Sequence, residues 1–214
     1  LLVAPTGGGK SLTYQLPALL LPGTTLVVSP LISLMHDQVE ALRERDIAST
    51  YLASTLEAAE LRERTEGLAR GRYRLAYVAP ERLSSPDFLS LLTQLNCPLV
   101  AIDEAHCISE WGHDFRPDYM QIGDTLARLP GTRVLACTAT ATPIVRDEIV
   151  ARLGLPPDTP QIVRGFARPN LALRSEEVPD KRNRCRLVDE ALSEALGLPG
   201  DNRGAAIIYA PTRR

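Results

Sequence analysis

The chain has 214 residues, 44% apolar and 23% charged, with a net charge of −2. These are the proportions of a soluble globular protein that can bury a core, and they exclude a disordered tail, a collagen-like repeat and a small disulfide scaffold. Near-neutral charge excludes a polybasic nucleic-acid coat, and no apolar run is long enough to span a bilayer, so no membrane partner is expected.

Short apolar runs alternate with amphipathic stretches. The first run, Leu1–Ala4, leads straight into a Gly-rich segment with no basic leader, so no signal peptide is expected. Thr25–Ser29, Leu75–Ala79, Leu99–Asp103, Arg133–Thr138 and Ala205–Ala210 read as further strands, each near-continuously apolar as in a sheet buried on both faces. Ser49–Leu52 is a weaker one. Helices are punctuated between them. Ser29-Pro30 reads as a cap and first-turn Pro for Leu31–Arg45, Ser85-Pro86 for Asp87–Leu95, and Thr142-Pro143 for Ile144–Leu153. Ser54-x-x-Glu57 reads as a capping box. Turn residues over 154–170 mark a boundary. A strand (Leu171–Val178), a helix (Asp180–Leu196, ending at Gly197) and the strand Ala205–Ala210 would follow it. Alternation of this kind predicts an α/β fold with a parallel sheet and helices on both faces. The four Cys form no C-x-x-C pair and read as reduced, mostly buried thiols.

Two segments carry chemistry. Ala4-Pro-Thr-Gly-Gly-Gly-Lys-Ser11 follows a strand, opens a helix and has phosphate-loop spacing, with Ala4 in place of the first Gly. Thr6, Gly7, Gly8 and Gly9 would wrap phosphates with backbone N–H groups at a helix N-terminus. Lys10 would reach the β- and γ-phosphates of ATP, and Ser11 would ligate Mg²⁺. The chain uses Arg for 22 of its 24 basic residues, and Lys10 precedes the only other Lys, Lys181. A compact ammonium suits a site among phosphate oxygens better than a guanidinium fork. The second segment is Leu99-Val-Ala-Ile-Asp103-Glu-Ala-His106, a buried strand ending in carboxylates. Asp103 is placed to hold Mg²⁺, and Glu104 to orient or deprotonate the attacking water. His106 lies beside the expected γ-phosphate.

Together with Thr138-Ala-Thr140, these motifs resemble the superfamily 2 helicases, and the finer resemblance is to the RecQ family of DNA helicases. Val28-Ser-Pro-Leu-Ile-Ser-Leu-Met-His-Asp-Gln-Val39 resembles that family's motif Ia. Cys107-Ile-Ser-Glu-Trp-Gly-His-Asp-Phe-Arg-Pro-Asp-Tyr119 resembles its aromatic-rich loop, and Gly165-Phe-Ala-Arg-Pro-Asn-Leu171 the entry to its second domain. The resemblance implies a RecA-like P-loop NTPase domain over residues 1–165 and the start of a second RecA-like domain over 166–214. It also implies ATP-driven, 3′-to-5′ translocation on single-stranded DNA with unwinding of duplex DNA. Such a protein would act in the cytoplasm, at the nucleoid of a bacterium or in a eukaryotic nucleus. The loop Ser109–Tyr119 holds three of the chain's ten aromatics. Within it Trp111 and Phe115 would stack on bases and Arg116 would meet a phosphate or carboxylate. His113 and Asp114 complete the loop, which joins His106, Thr138 and Thr140 as coupling residues. Ser29, Pro30 and Leu31 would contact the DNA backbone. Two other readings are a superfamily 2 RNA helicase, which the Asp-Glu-Ala-His tetrad alone allows, and a scaffold that binds nucleotide or DNA without catalysis. The arginine finger of such motors comes from a second domain, so these 214 residues alone are expected to have little ATPase activity.

Overall fold

The computed structural model describes residues 1–111, 114–165, 171–178, 180–197, 201 and 203–209. The chain divides into two compact units, Leu1–Arg168 and Pro169–Arg214.

The first unit is an α/β sandwich. Its strands are β1 (Leu2–Val3), β2 (Thr25–Val28), β3 (Ser49–Leu52), β4 (Leu75–Val78), β5 (Leu99–Ile102), β6 (Arg133–Thr138) and β7 (Ile162–Val163). They form one sheet in the order β3-β4-β2-β5-β6-β1-β7, and every pairing is parallel. All residues of β2, β4 and β5 are buried. Side chains alternate between the two faces of a strand, so each central strand feeds two cores. Leu26, Val28, Val78, Val100 and Ile102 join one core with Phe88, Leu92, Ile122, Val145 and Ile149. Val27, Leu75, Tyr77, Leu99 and Ala101 join the other with Tyr14, Ala18, Met35, Val39 and Leu42. Helices α1 (Leu12–Leu20) and α2 (Ile32–Arg43) therefore cover one face. Helices α3 (Ala58–Ala69), α4 (Pro86–Gln94), α5 (Ile122–Ala127) and α6 (Pro143–Arg152) cover the other. A side chain at Gly123 would meet Arg152 O at 2.2 Å, so only glycine lets α5 lie this close to the end of α6.

The predicted caps divide cleanly. Ser85 Oγ accepts from Phe88 N (3.4 Å), and Thr142 Oγ1 accepts from Val145 N (3.4 Å), as their Pro-bearing first turns imply. Ser29-Pro30 does not cap α2. That helix starts at Ile32, after Leu31 in extended conformation, because Ser29 is still held as a strand extension by its N–H to Val78 O (3.1 Å). Ser54 forms no capping box; Glu57 precedes α3, and Ser54 Oγ donates instead to Glu81 Oε1 (3.1 Å). β7 was not foreseen. It is a two-residue exposed edge strand, too short for an apolar pattern to announce it.

In the second unit α7 (Lys181–Leu196) forms as expected, with Asp180 Oδ1 accepting from Asn183 N (2.8 Å) and Gly197 at its end. The strands expected at 171–178 and 205–210 do not form within the described residues. A helix closes its hydrogen bonds internally, whereas a strand needs a neighbour, and this unit offers none among the described residues. All four Cys are free thiols; Cys97, Cys107 and Cys137 are buried and Cys185 is exposed. No described helix is long and apolar enough to cross a membrane.

Candidate active site at the carboxyl edge of the sheet

Strand order decides which loops meet. β5, β6 and β1 are consecutive neighbours, so their carboxyl ends bring Asp103, Thr138 and Ala4 side by side. Ala4 N donates to Thr138 O (3.1 Å), and Asp103 N donates to Val28 O (2.8 Å) at the end of β2. Motifs separated by more than a hundred residues thus share one rim.

The phosphate-loop segment is shaped by its backbone. Gly7 and Gly9 have φ of +79° and +77°, which side-chain-bearing residues rarely adopt, and a Cβ on Gly8 would lie 2.9 Å from Pro5 O. Gly8 N donates to Pro5 O (2.9 Å) and closes the turn. Among the described residues no protein acceptor takes the N–H of Gly7, Gly9 or Lys10. Lys10 Nζ donates to Ala4 O (3.1 Å) and Pro5 O (3.4 Å), which holds the ammonium over the loop. Ser11 stands at the N-terminus of α1 and makes no capping bond with its hydroxyl. Thr6 is exposed at the loop tip.

Asp103 is only 8% exposed. Burial, followed by the neighbouring Glu104 carboxylate, pushes its pKa up to about 6. Its Oδ1 accepts from Glu104 N (3.1 Å), and no described Lys, Arg or His forms an ion pair with it. The buried carboxylate of Asp103 and the hydroxyl of Ser11 at the start of α1 are hard-oxygen donors of the kind Mg²⁺ takes. Glu104 adopts a left-handed backbone (φ 46°, ψ 46°), a conformation that costs a non-glycine residue roughly 1–2 kcal/mol. It is held there on both sides. Cys107 N donates to Glu104 O (2.9 Å), and the fully buried Tyr119 donates its hydroxyl to Asp103 O (2.9 Å). A hydrogen bond with His106 keeps the Glu104 carboxyl below the usual carboxylate range, so it is ionised at neutral pH.

His106 is 6% exposed. Its Nδ1 lies 2.8 Å from Thr138 Oγ1 and 3.3 Å from Glu104 Oε2. Thr138 Oγ1 donates to Thr140 O (3.1 Å) and accepts from Thr140 N (3.3 Å). With the Thr138 hydroxyl donating to Thr140 O, an N–H at Nδ1 of His106 has both Thr138 Oγ1 and Glu104 Oε2 within reach as acceptors. Thr138 thus joins the site through its side chain, whereas Thr140 does so through its backbone.

The aromatic-rich loop begins at the same rim. Trp111 is 79% exposed, and Phe115 is partly exposed. Asp114 Oδ2 accepts from Arg116 Nη2 (3.2 Å) and from Cys107 Sγ (3.7 Å). Arg116 Nη1 donates to Pro30 O (3.1 Å), tying this loop to the motif Ia segment. There Ser29 is buried, with no hydrogen-bond partner for its Oγ among the described residues, Pro30 is half-buried and Leu31 is exposed. His113 lies outside the described residues. Sequence reasoning missed Tyr119 as an anchor, and it missed Ser109, Glu148 and Arg152. Only Tyr119 carried a signal, as an aromatic closing the loop.

The sequence matches the DEAD/DEAH box helicase family over residues 1–148, and the chain belongs to that family. Within it, the chain is 46% identical over 99% of its length to an ATP-dependent DNA helicase RecQ of Bacillus subtilis (strain 168), covering 34% of that protein. It is 43% identical over its whole length to an ATP-dependent DNA helicase RecQ of Pasteurella multocida (strain Pm70), covering 32%. It therefore spans about a third of the length of these curated relatives. The fold agrees with that of solved helicases. The helicase domain of Pyrococcus furiosus Hef aligns over 91% of this chain and 42% of that one, with a TM-score of 0.60 at 22% identity. Mycobacterium smegmatis Lhr, solved with single-stranded DNA and AMP-PNP, aligns over 76% of this chain and 23% of that one, with a TM-score of 0.55 at 24% identity.

Proposed function

We propose that this chain carries the ATP-facing lobe of a RecQ-type, 3′-to-5′ DNA helicase, together with the opening of a second RecA-like lobe from about residue 166. The observation that carries the reading is the shared rim. It holds a glycine-shaped anion loop, a buried Asp103 with no ion pair among the described residues and an ionised Glu104, all joined through His106 and Thr138 to an exposed aromatic loop.

In this reading Thr6 to Lys10 hold the phosphates of ATP, and the Lys10 ammonium moves from its carbonyl partners onto phosphate oxygens. Ser11 and Asp103 hold Mg²⁺, which when bound neutralises developing phosphate charge. Glu104 accepts a proton from the attacking water, and its ionised state suits it to that role. His106 holds the Glu104 carboxylate through Nδ1, the same ring nitrogen that meets Thr138 Oγ1. Trp111 and Phe115 stack on bases of single-stranded DNA at the edge of the duplex. Arg116, already bonded to Pro30 O, links that contact to Ser29–Leu31. An arginine from the second lobe completes the ATP site, so residues 1–214 alone turn over slowly. Such a motor works on DNA in the cytoplasm, nucleoid or nucleus.

The test compares ATPase stimulation of the complete enzyme by single-stranded DNA and by RNA. Strong stimulation by DNA with little by RNA is expected. Equal or greater stimulation by RNA would turn the assignment to an RNA helicase, and nucleotide binding without turnover would make the protein a scaffold.

A further inference from the structure

Helix α6 meets the base of the aromatic loop through side chains that the ATP site does not use. Ser109 is fully buried and lies three residues beyond His106. Its Oγ donates to Glu148 Oε2 and accepts from Trp111 N (3.2 Å). The other oxygen of Glu148 accepts from Arg152 Nε (2.6 Å), and Arg152 Nη2 donates across to Glu110 Oε1 (2.9 Å). One carboxylate and one guanidinium thus grip residues 109 and 110 on either side. With one charge-assisted bond from Arg152 on one oxygen and the Ser109 hydroxyl on the other, the Glu148 carboxylate has little rotational freedom. The anchoring helix is itself fixed at its start by the Thr142 cap, four residues beyond Thr138.

The result is a closed circuit. The segment His106–Ser109 is bonded at its front to Thr138 and at its rear to Glu148, and both partners belong to the continuous β6–α6 stretch. A loop joined to the ATP rim only by its own backbone could absorb a displacement of Trp111 by turning a few dihedrals. With both ends of the segment tied to one stretch, loop, turn and helix shift together, and the shift reaches Thr138 and His106.

We propose that Glu148 and Arg152 are positioning residues that couple engagement of the aromatic loop by a DNA strand to the His106–Glu104 pair. The inference rests on the reading of that loop as DNA-responsive.

The experiment uses the complete enzyme and two readouts. One is DNA-stimulated ATP turnover. The other is DNA binding followed by Trp111 emission, isolated by subtracting the spectrum of the Trp111→Phe counterpart. For Glu148→Ala, turnover at saturating DNA is expected to fall roughly tenfold, equivalent to about 1.4 kcal/mol, while the DNA concentration at half-maximal Trp111 response moves less than about threefold. Glu148→Gln keeps an acceptor for Ser109 and is expected to recover most of the stimulation. Ser109→Ala combined with Glu148→Ala is expected to lose no more than either alone. Should Glu148→Ala fold poorly, Arg152→Lys supplies the same test, since it keeps the charge and loses the fork. Undiminished stimulation in Glu148→Ala or in Arg152→Lys overturns the coupling role, as does parallel loss of binding and turnover. If the unmodified enzyme shows no stimulation by DNA, it is the helicase reading itself that fails.

Discussion

The phosphate loop and the aromatic loop leave the same edge of the sheet and are built on opposite principles. The phosphate loop is shaped by its own backbone, with two glycines at positive φ, a third under a carbonyl and a lysine folded onto its own turn. The aromatic loop owes its anchoring to its own side chains, which reach residues outside it. Tyr119 reaches back to Asp103, Arg116 to Pro30, and Ser109 across to Glu148. A backbone-built loop presents a fixed anion cradle whether or not its surroundings move. A loop hung on side-chain anchors passes its movement to whatever holds it. The first suits binding, the second suits signalling.

The largest expected effects test the cradle. Lys10→Ala should lower ATP turnover of the complete enzyme at least a hundredfold if, as proposed, the ammonium acts where charge develops. Glu104→Gln should lose turnover to a similar extent yet retain ATP in equilibrium binding. If ATP affinity collapses along with turnover, Glu104 serves binding rather than proton transfer. Gly8→Ala comes next. Its Cβ would press on Pro5 O, and a steric strain of about 1.4 kcal/mol corresponds to roughly tenfold weaker nucleotide binding by titration calorimetry. Unchanged affinity would show that the loop yields, which would erase the contrast between the two loops.

The same contrast explains what could be read from the sequence. The sheet, the phosphate loop and the Asp103–Glu104 strand end were legible because their determinants are local: apolar runs, glycine spacing and residue type. The caps at Ser85 and Thr142 were legible for the same reason. Ser29 misled because a Ser-Pro pair looks the same whether it starts a helix or ends a strand, and the partner that decides is Val78. The clamp was invisible. Glu148 and Arg152 sit on an amphipathic helix where solvated charges are ordinary, and no spacing rule points from Ser109 to a residue 39 positions away.

The side-chain anchors predict smaller, separable effects. Tyr119→Phe removes only the bond to Asp103 O, leaving a buried carbonyl without its donor and Glu104 less firmly held in its left-handed turn. A loss of about 1–2 kcal/mol in unfolding free energy by urea titration is expected. A several-fold fall in DNA-stimulated turnover should accompany it. Stability lost with stimulation intact would make Tyr119 a packing residue alone.

Trp111→Ala gives the smallest effect on the fold and the sharpest separation of the two kinds of loop. With 79% of its surface exposed, the indole contributes little to the core, and unfolding free energy should change by less than about 0.5 kcal/mol. Stacking of one base on an aromatic is worth roughly 1–3 kcal/mol, so affinity of the complete enzyme for single-stranded DNA should fall about 5- to 150-fold. ATP affinity should stay unchanged, since nothing in the phosphate cradle rests on the indole. A large loss of stability would mean that Trp111 pins the loop to the body of the protein, and the loop would then be anchored at its tip as well as at its ends. An exposed indole that contributes little to the fold is one a strand could displace, and in the proposed coupling the anchors beside His106 and Asp103 would carry that displacement to the ATP site.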